Sequence, residues 1–443
     1  MKTLLIENAH IISFGDNAFL KENQSVYIEN GIIKDVFDFK SKNYPADEVI
    51  DANGKYLMPG FVNAHTHAYS ALVRGFGKAA EALDFQQQLE NLWWKLDKSL
   101  SLDDCYYSTM VLALDSIKHG TTTVIDHHAS PFAVIGSLDR VADAFNQTGL
   151  RSCLCYELSD RDGQLISDEG IRENIYMLNH CQNNPSPMLK AMFGLHASFT
   201  VEDKTFEKVM SELGDTKPGF HIHTAEAQSD QLTTWKMSRK RVVKRLYDLG
   251  ILGEHSIAAH CVHIDEDEIS LLKETNTMVV HNPQSNLNNA VGIADVVKLM
   301  NHKILTGLGT DAMTTNMLEE ARVALFAQHL KQNHPTCAFM EIVNLLFVNN
   351  YKIAERIFGI QSGIIEAGTV ADIILYDYLP PTPLDNTTIW GHLLYGFSQT
   401  PVDTTIVNGK VLMKNKILTL DLDEKEVLAK SREFAQKMWN RFK

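Results

Sequence analysis

Pro59-Gly60-Phe61-Val62-Asn63-Ala64-His65-Thr66-His67 is a short apolar run that ends in two histidines spaced two apart. Side chains alternate along a strand, so His65 and His67 project together from its C-terminal end. The same form recurs along the chain. Gly219-Phe220-His221-Ile222-His223-Thr224-Ala225-Glu226, Ala258-Ala259-His260, Val279-Val280-His281 and Gly307-Leu308-Gly309-Thr310-Asp311 each carry an apolar run into polar residues. Expected strands are 56–63, 121–126, 151–157, 189–194, 218–223, 256–260, 277–281 and 304–309. Helical stretches alternate with them, among them 102–119, 202–213 and 238–249. Eight βα units in about 300 residues predict an α/β chain folded as a (β/α)8 barrel, whose chemistry gathers at the C-terminal ends of the strands. A doubly wound open sheet is the alternative, but no GxGxxG follows the first strand.

The two ends of the chain read differently. Ser25-Val26-Tyr27-Ile28 and Ile32-Ile33-Lys34-Asp35-Val36 flank an Asn30-Gly31 turn, and a second Asn-Gly hairpin lies at Asn408-Gly409. Residues 1–55 and 361–422 are therefore expected to build one small β-sandwich, with the barrel of 56–360 inserted into it. An amphipathic helix, 423–443, is expected to pack on the outside.

Composition limits the functions open to such a chain. The 443 residues are 44% hydrophobic and 22% charged, which suits a globular protein. The net charge of −14 disfavours general binding to a phosphate backbone. No run of about 18 apolar residues is present, so no membrane span is expected. The stretch from Met1 to Ile6 is too short for a signal peptide. Six cysteines without a CxxC pair do not suggest a disulfide framework, and a cytoplasmic location fits. The expected partner is a small-molecule substrate, with no nucleic acid and no membrane, and homo-oligomerisation is left open. The 18 histidines stand out and invite a metal.

Two neutral imidazoles on one face are natural metal ligands, although two hydrogen-bonded structural histidines would look the same in sequence. Parity does not separate His221 from His223, but the short reach to Glu226 favours His223. A glutamate there suits proton transfer to and from a water, with a helix N-terminus as its ordinary alternative. Asp311 is suited to be ligand and base, or else an N-cap. Each residue alone has a plain structural explanation, but several strands end the same way. A bridging lysine late in the fourth strand would suggest two metals. Lys190 lies at that strand's start, so one metal is expected.

Together with Gly120-Thr121-Thr122-Thr123, His260-Cys261-Val262-His263 and His281-Asn282-Pro283-Gln284-Ser285-Asn286-Leu287, these motifs resemble the amidohydrolase superfamily, in its deaminase and chlorohydrolase branch. Asp126-His127-His128-Ala129-Ser130-Pro131 and Cys155-Tyr156-Glu157-Leu158-Ser159-Asp160-Arg161-Asp162-Gly163 look most like the Ssn-type aminohydrolases associated with selenium metabolism. The resemblance implies one divalent metal, zinc or alternatively iron, held by His65, His67, His223 and Asp311. It implies that Glu226, His260 and Asp311 handle protons and orient the attacking water. Asn288-Asn289-Ala290-Val291-Gly292 and the stretch after Asp311 depart from the common pattern at the mouth, so the substrate does not carry over.

The implied reaction is hydrolytic deamination of a purine-, pterin- or guanidino-like compound. Chloride leaves unprotonated and ammonia does not, so Glu226 favours deamination over the alternatives, a chlorohydrolase or a cyclic amide hydrolase. A non-catalytic binding relative would be expected to lose ligands or Glu226, and this sequence keeps them. Trp93, with Trp94, is a candidate for a lid after the first strand, with helix packing as the alternative. His196, Arg161 and His128, with Asp160 nearby, are candidate substrate contacts, against structural capping for His196 and a surface salt bridge for Arg161, and His281 is a substrate contact or a ligand's neighbour.

Overall fold

The computed structural model describes residues 2–14 and 19–442. Met1, residues 15–18 and Lys443, which belong to the expected β domain and last helix, lie outside the described residues.

The barrel strands are, in order, Phe61–Thr66, Thr121–Asp126, Arg151–Leu154, a fourth split into Leu189–Ala191 and Phe193–Ala197, then Phe220–Thr224, Ile257–His260, Met278–His281 and Thr306–Leu308. The strands of each run pair in parallel with their neighbours, one run ending at Leu189–Ala191 and the other starting at Phe193–Ala197. A Leu158–Leu195 bridge joins the two runs, and a parallel Thr66–Asp311 bridge closes strand eight on strand one. Asn350 locks that seam from behind. Its side-chain amide donates to the Val62 and Leu308 carbonyls at 2.7 and 2.8 Å and accepts from Leu308 N at 2.7 Å.

Both chain ends do combine. Thr3–Ser13 pairs with Phe19–Glu29, with Glu48–Asp51 over its first half and with Tyr56–Pro59 over its second. Ile373–Tyr376 pairs with Tyr56–Pro59 and leads on to Val402–Val407, Lys410–Lys414 and Ile417–Leu418. The expected sandwich takes the form of one nine-stranded sheet around a shared apolar core that includes Ile6, Ile28, Leu57, Ile373 and Ile406. Asn30-Gly31 and Asn408-Gly409 turn with both residues at positive φ, 49° and 80°, then 49° and 72°. That is the hairpin geometry their sequence demands. The turns meet, since a Cβ on Gly31 would lie 2.4 Å from Asn408 Oδ1.

Two expected boundaries are corrected. Residues 56–63 are not one barrel strand. Tyr56–Pro59 belongs to the terminal sheet, and the chain changes sheets at Gly60. Gly60 N donates to Asp372 O on the sheet side, while Phe61 N donates to Gly120 O on the barrel side. The helix expected over 238–249 is present but shorter, Val242–Asp248, because Ser238 ends a preceding helix, Gln228–Ser238, where Arg239 turns left-handed at φ 58°. The last helix, Glu424–Arg441, packs on Leu102–Lys118 through stacked Tyr107 and Phe434 rings 4.7 Å apart. Among the described residues no helix is long and apolar enough to cross a membrane.

At the crossing point a Cβ on Gly60 would sit 2.1 Å from Thr122 Cγ2, inside the barrel wall. Gly60→Ala is therefore expected to destabilise the fold by about 1–3 kcal/mol, the usual cost of overpacking. Gly77→Ala, where nothing lies within 4 Å, is the control and should leave the denaturation midpoint nearly unchanged.

Candidate active site

The strand-end residues converge at the barrel mouth. His65, His67, His223 and Asp311 form one buried cluster whose ligand atoms lie within 4.8 Å of one another. His67 Nε2 stands 3.1 Å from His223 Nε2 and 2.9 Å from Asp311 Oδ1. Each imidazole is held from behind through Nδ1. The His67 Nδ1–H faces the His127 carbonyl, the His223 Nδ1–H donates to the His196 carbonyl at 2.9 Å, and His65 Nδ1 meets His221 Nε2 at 2.8 Å. His221 in turn places its own Nδ1 3.8 Å from Cys155 Sγ. With each Nδ1 carrying the proton, three Nε2 lone pairs face inward. The ambiguity between His221 and His223 is thereby resolved in geometry: His223 faces the cluster and His221 braces His65.

The donor set fits a divalent cation. His65 Nε2 is buried without a partner, and two inward lone pairs at 3.1 Å repel unless a positive charge lies between them. Burial holds His65 and His223 well below the ordinary histidine value, so both stay neutral. Burial also opposes a charged His67, but the Asp311 hydrogen bond and charge overturn it and lift this imidazole to about 9. A cation would take the place of that proton.

Glu226, His260 and Asp311 form a second group beside the first. His260 Nδ1 accepts from the Asn286 side-chain amide at 2.9 Å, which leaves the proton on Nε2. That Nε2–H points between Glu226 Oε2 at 3.6 Å and Asp311 Oδ2 at 3.8 Å. The two carboxyls are driven apart. Burial, with the charges of Asp311 and Asp230, raises Glu226 well above the usual carboxylate range. Burial pushes Asp311 in the same direction, but the His67 hydrogen bond and the neighbouring imidazoles outweigh it and hold Asp311 well below that range. A neutral acid and an ionised base thus face one site. Ala225, His260 and Asp311 all have positive φ, 47°, 75° and 52°. Such backbone costs about 1 kcal/mol or more at a non-glycine residue and clusters where side chains must be aimed.

The cavity above these groups is lined by Trp93, Trp94 and Asp97 from the excursion after strand one, and by Tyr69, Glu157, His196, Phe199, Asp230, Ser285 and Asn289. Trp93 and His196 are thus among its lining residues. Phe85, Leu89, Ala227 and Val291 form the apolar underside of the lid, with Trp93 and Trp94 packed against it.

Three expected substrate contacts are not part of this lining. His128 is fully buried behind the wall, with Nε2 3.0 Å from Ser130 Oγ and its ring against Tyr69. His281 is fully buried with both ring nitrogens unpartnered, and belongs to none of the three metal-type groups, the third being His67, His127, Glu157 and His223. Arg161 is drawn away by Asp97, which accepts from Nη2 at 3.0 Å, and its guanidinium lies 4.8 Å over the Trp94 ring. Asp160 is occupied in capping the segment that starts Asp203–Leu213, accepting from Glu202 N at 2.7 Å. Glu157 is one of the cavity residues, with Tyr69, Asp97 and Asp230, that sequence reasoning passed over. The strand expected over 151–157 ends on it, and the rule that selected His260 and Asp311 selects it too.

A family model described as amidohydrolase family matches residues 56–412. Over 443 residues the chain is 30% identical to the 5'-deoxyadenosine deaminase of Methanosarcina acetivorans, covering 99% of each. It is 31% identical over 441 residues to the 5-methylthioadenosine/S-adenosylhomocysteine deaminase of Syntrophomonas wolfei, covering 98% of this chain and 99% of that one. The structure of a zinc-bound adenosine deaminase from Xanthomonas campestris superposes with a TM-score of 0.86 at 25% identity, over 99% and 98% of the two chains. A match over residues 56–412 makes the chain a member of the amidohydrolase family.

Proposed function

We propose that the chain is a metal-dependent aminohydrolase that deaminates an amino-substituted nitrogen heterocycle and releases ammonia. The observation that carries this reading is geometric: Glu226 and Asp311 flank His260 Nε2, at 3.6 and 3.8 Å, beside the ligand cluster. The relatives' names, all of them deaminases of adenine nucleosides, support the reaction class. None of these three names refers to selenium.

His65, His67, His223 and Asp311 would hold one divalent ion, with zinc favoured over iron by the zinc-bound neighbour. Such an ion, when bound, supplies Lewis acidity and makes water nucleophilic at neutral pH. Asp311 accepts the proton of the attacking water. His260 donates through Nε2 to the incoming oxygen and fixes its direction. Glu226 protonates the ring nitrogen next to the reacting carbon and then serves the departing amine. The aromatic lid keeps a flat ring in place and excludes bulk water. The described cysteines are all unpaired, which suits the cytoplasm.

Ammonia release by metal-loaded protein over a panel of aminoheterocycles tests the class. Turnover of chloro-substituted or cyclic amide substrates without ammonia from amines would defeat it. His65→Ala is expected to lose bound metal and activity together, read by elemental analysis beside the assay. Glu226→Gln should keep its metal and lose roughly 10²-fold or more in kcat. Full activity in that variant would remove Glu226 from the mechanism.

A further inference from the structure

We infer that Asn289 is a positioning residue for Glu226: its side-chain amide holds one carboxyl oxygen, so that the other, Oε2, is the one presented to the substrate's ring nitrogen. The inference rests on the deaminase reading and adds to it a residue that acts through the acid.

The two oxygens of the buried Glu226 carboxyl have different neighbours. Oε1 accepts from Asn289 Nδ2 at 3.3 Å. Oε2 faces the ligand cluster instead, 3.6 Å from His260 Nε2. Three contacts set the orientation of the Asn289 amide. Its nitrogen also reaches Ser285 Oγ at 3.3 Å, and its Oδ1 accepts from Asn288 Nδ2 at 3.3 Å. Ser285 Oγ gives its own hydrogen to Asp311 Oδ2, so it accepts from Asn289 and cannot donate to it. The amide nitrogen, not the oxygen, therefore faces Glu226. An oxygen already accepting an amide N–H takes the carbonyl role when the carboxyl is neutral, which leaves the O–H on Oε2.

The same short segment holds the other two members of the group. Asn289 caps the helix Pro283–Asn288, which follows strand seven. Ser285, one turn earlier, donates to Asp311 Oδ2, while Oδ1 of that carboxylate lies 2.9 Å from His67 Nε2. Asn286 donates to His260 Nδ1 at 2.9 Å. Residues four apart are neighbours on a helix face, which is why the Asn289 amide can bridge Ser285 and Glu226. The helix is itself anchored, since Gln284 N donates to the buried Glu320 at 3.0 Å. Acid, base and His260 are thus aimed from one segment, and Asn289 is its link to the acid. A displacement of about 1 Å at a reacting group costs about 10²-fold, so the link bears on rate. Leucine at 289 keeps nearly the size of asparagine and removes the N–H. Glu226 is then free to turn about its last torsion, and its proton is shared between an aimed oxygen and an unaimed one.

The test is a double-mutant cycle between Asn289→Leu and Glu226→Gln. Both kcat and KM are measured for ammonia release from whichever of adenosine, 5'-deoxyadenosine, guanine, isocytosine and pterin the wild-type protein turns over fastest, with metal content read on all four proteins. Asn289→Leu is expected to keep its metal, hold KM within about threefold and lose about 10–100-fold in kcat. In the Glu226→Gln background the same substitution should cost less than about twofold, because a residue that acts through Glu226 has nothing left to position. A loss that carries over in full overturns the inference, as does wild-type kcat in Asn289→Leu. A rise in KM with kcat unchanged makes Asn289 a substrate contact and overturns it too, and so does loss of metal. Each of these leaves the deaminase reading standing, because that reading rests on ammonia release by the wild-type protein. Ammonia from none of the panel with wild-type protein ends both. Asn289→Ala takes the place of the leucine variant if that one does not fold.

Discussion

The seam between the first and eighth barrel strands is the constraint on which the site depends. Thr310 N and Asp311 N both donate to the His65 carbonyl, at 2.9 and 3.0 Å, and the Thr66 hydroxyl donates to Asp311 O at 2.9 Å. Asn63 reaches across to Thr310 Oγ1 at 2.7 Å. These bonds close the barrel and also set the two ends of the ligand cluster. Asp311 can turn back toward His67 because its backbone adopts the left-handed region at φ 52°, which aspartate tolerates better than most residues. Gly309 leaves room for this crossing, since a Cβ there would lie 2.5 Å from Asn282 Oδ1 and 2.8 Å from His65 Cβ. Closure of the fold and assembly of the site are thus one event.

The terminal sheet is tied to the opposite end of the same barrel. Arg151, fully buried at the start of strand three, gives Nε and Nη2 to the Asp372 carboxylate at 3.1 Å each. Asp372 Oδ1 also accepts from Asn408 N at 2.7 Å, beside the second Asn-Gly turn. A buried ion pair of this kind is valued less for net stability than for the penalty on any arrangement that separates it. It fixes how the sheet meets the barrel floor. The division matches the general rule that one end of such a barrel carries stability and the other chemistry.

How far the sequence could be read follows from the same geometry. Strand-end histidines were legible because a two-residue period on a parallel strand leaves little choice of face. Tyr56–Pro59 was misassigned because an apolar run states that it is buried and not in which sheet, and only Gly60 marks the change. The break at Arg239 has no glycine or proline to announce it. His128 and His281 satisfy the strand-end rule in sequence, yet neither faces the cavity, a distinction that requires the closed barrel. Tautomers were out of reach altogether, because they depend on the Nδ1 partners His127, His196 and His221, brought in from other strands.

The −14 surface and the cavity pose different electrostatic problems. Asp97, Glu157, Glu226, Asp230 and Asp311 all line the cavity, with no lysine or arginine among the lining residues. Five buried carboxylates could not all ionise there, and burial pushes Asp97 to about 6 and Glu157 and Asp230 to about 7. Only Asp311 is drawn strongly to the ionised form, by the histidines that face it. The one guanidinium nearby, Arg161, is held by Asp97 and the Trp94 face, outside the cavity lining. An anionic substrate would find no lysine or arginine in the lining to pair with. A neutral flat ring rich in N–H groups meets hydrogen-bond acceptors instead, and leaves the ligand cluster as the only place in the cavity where positive charge is favoured.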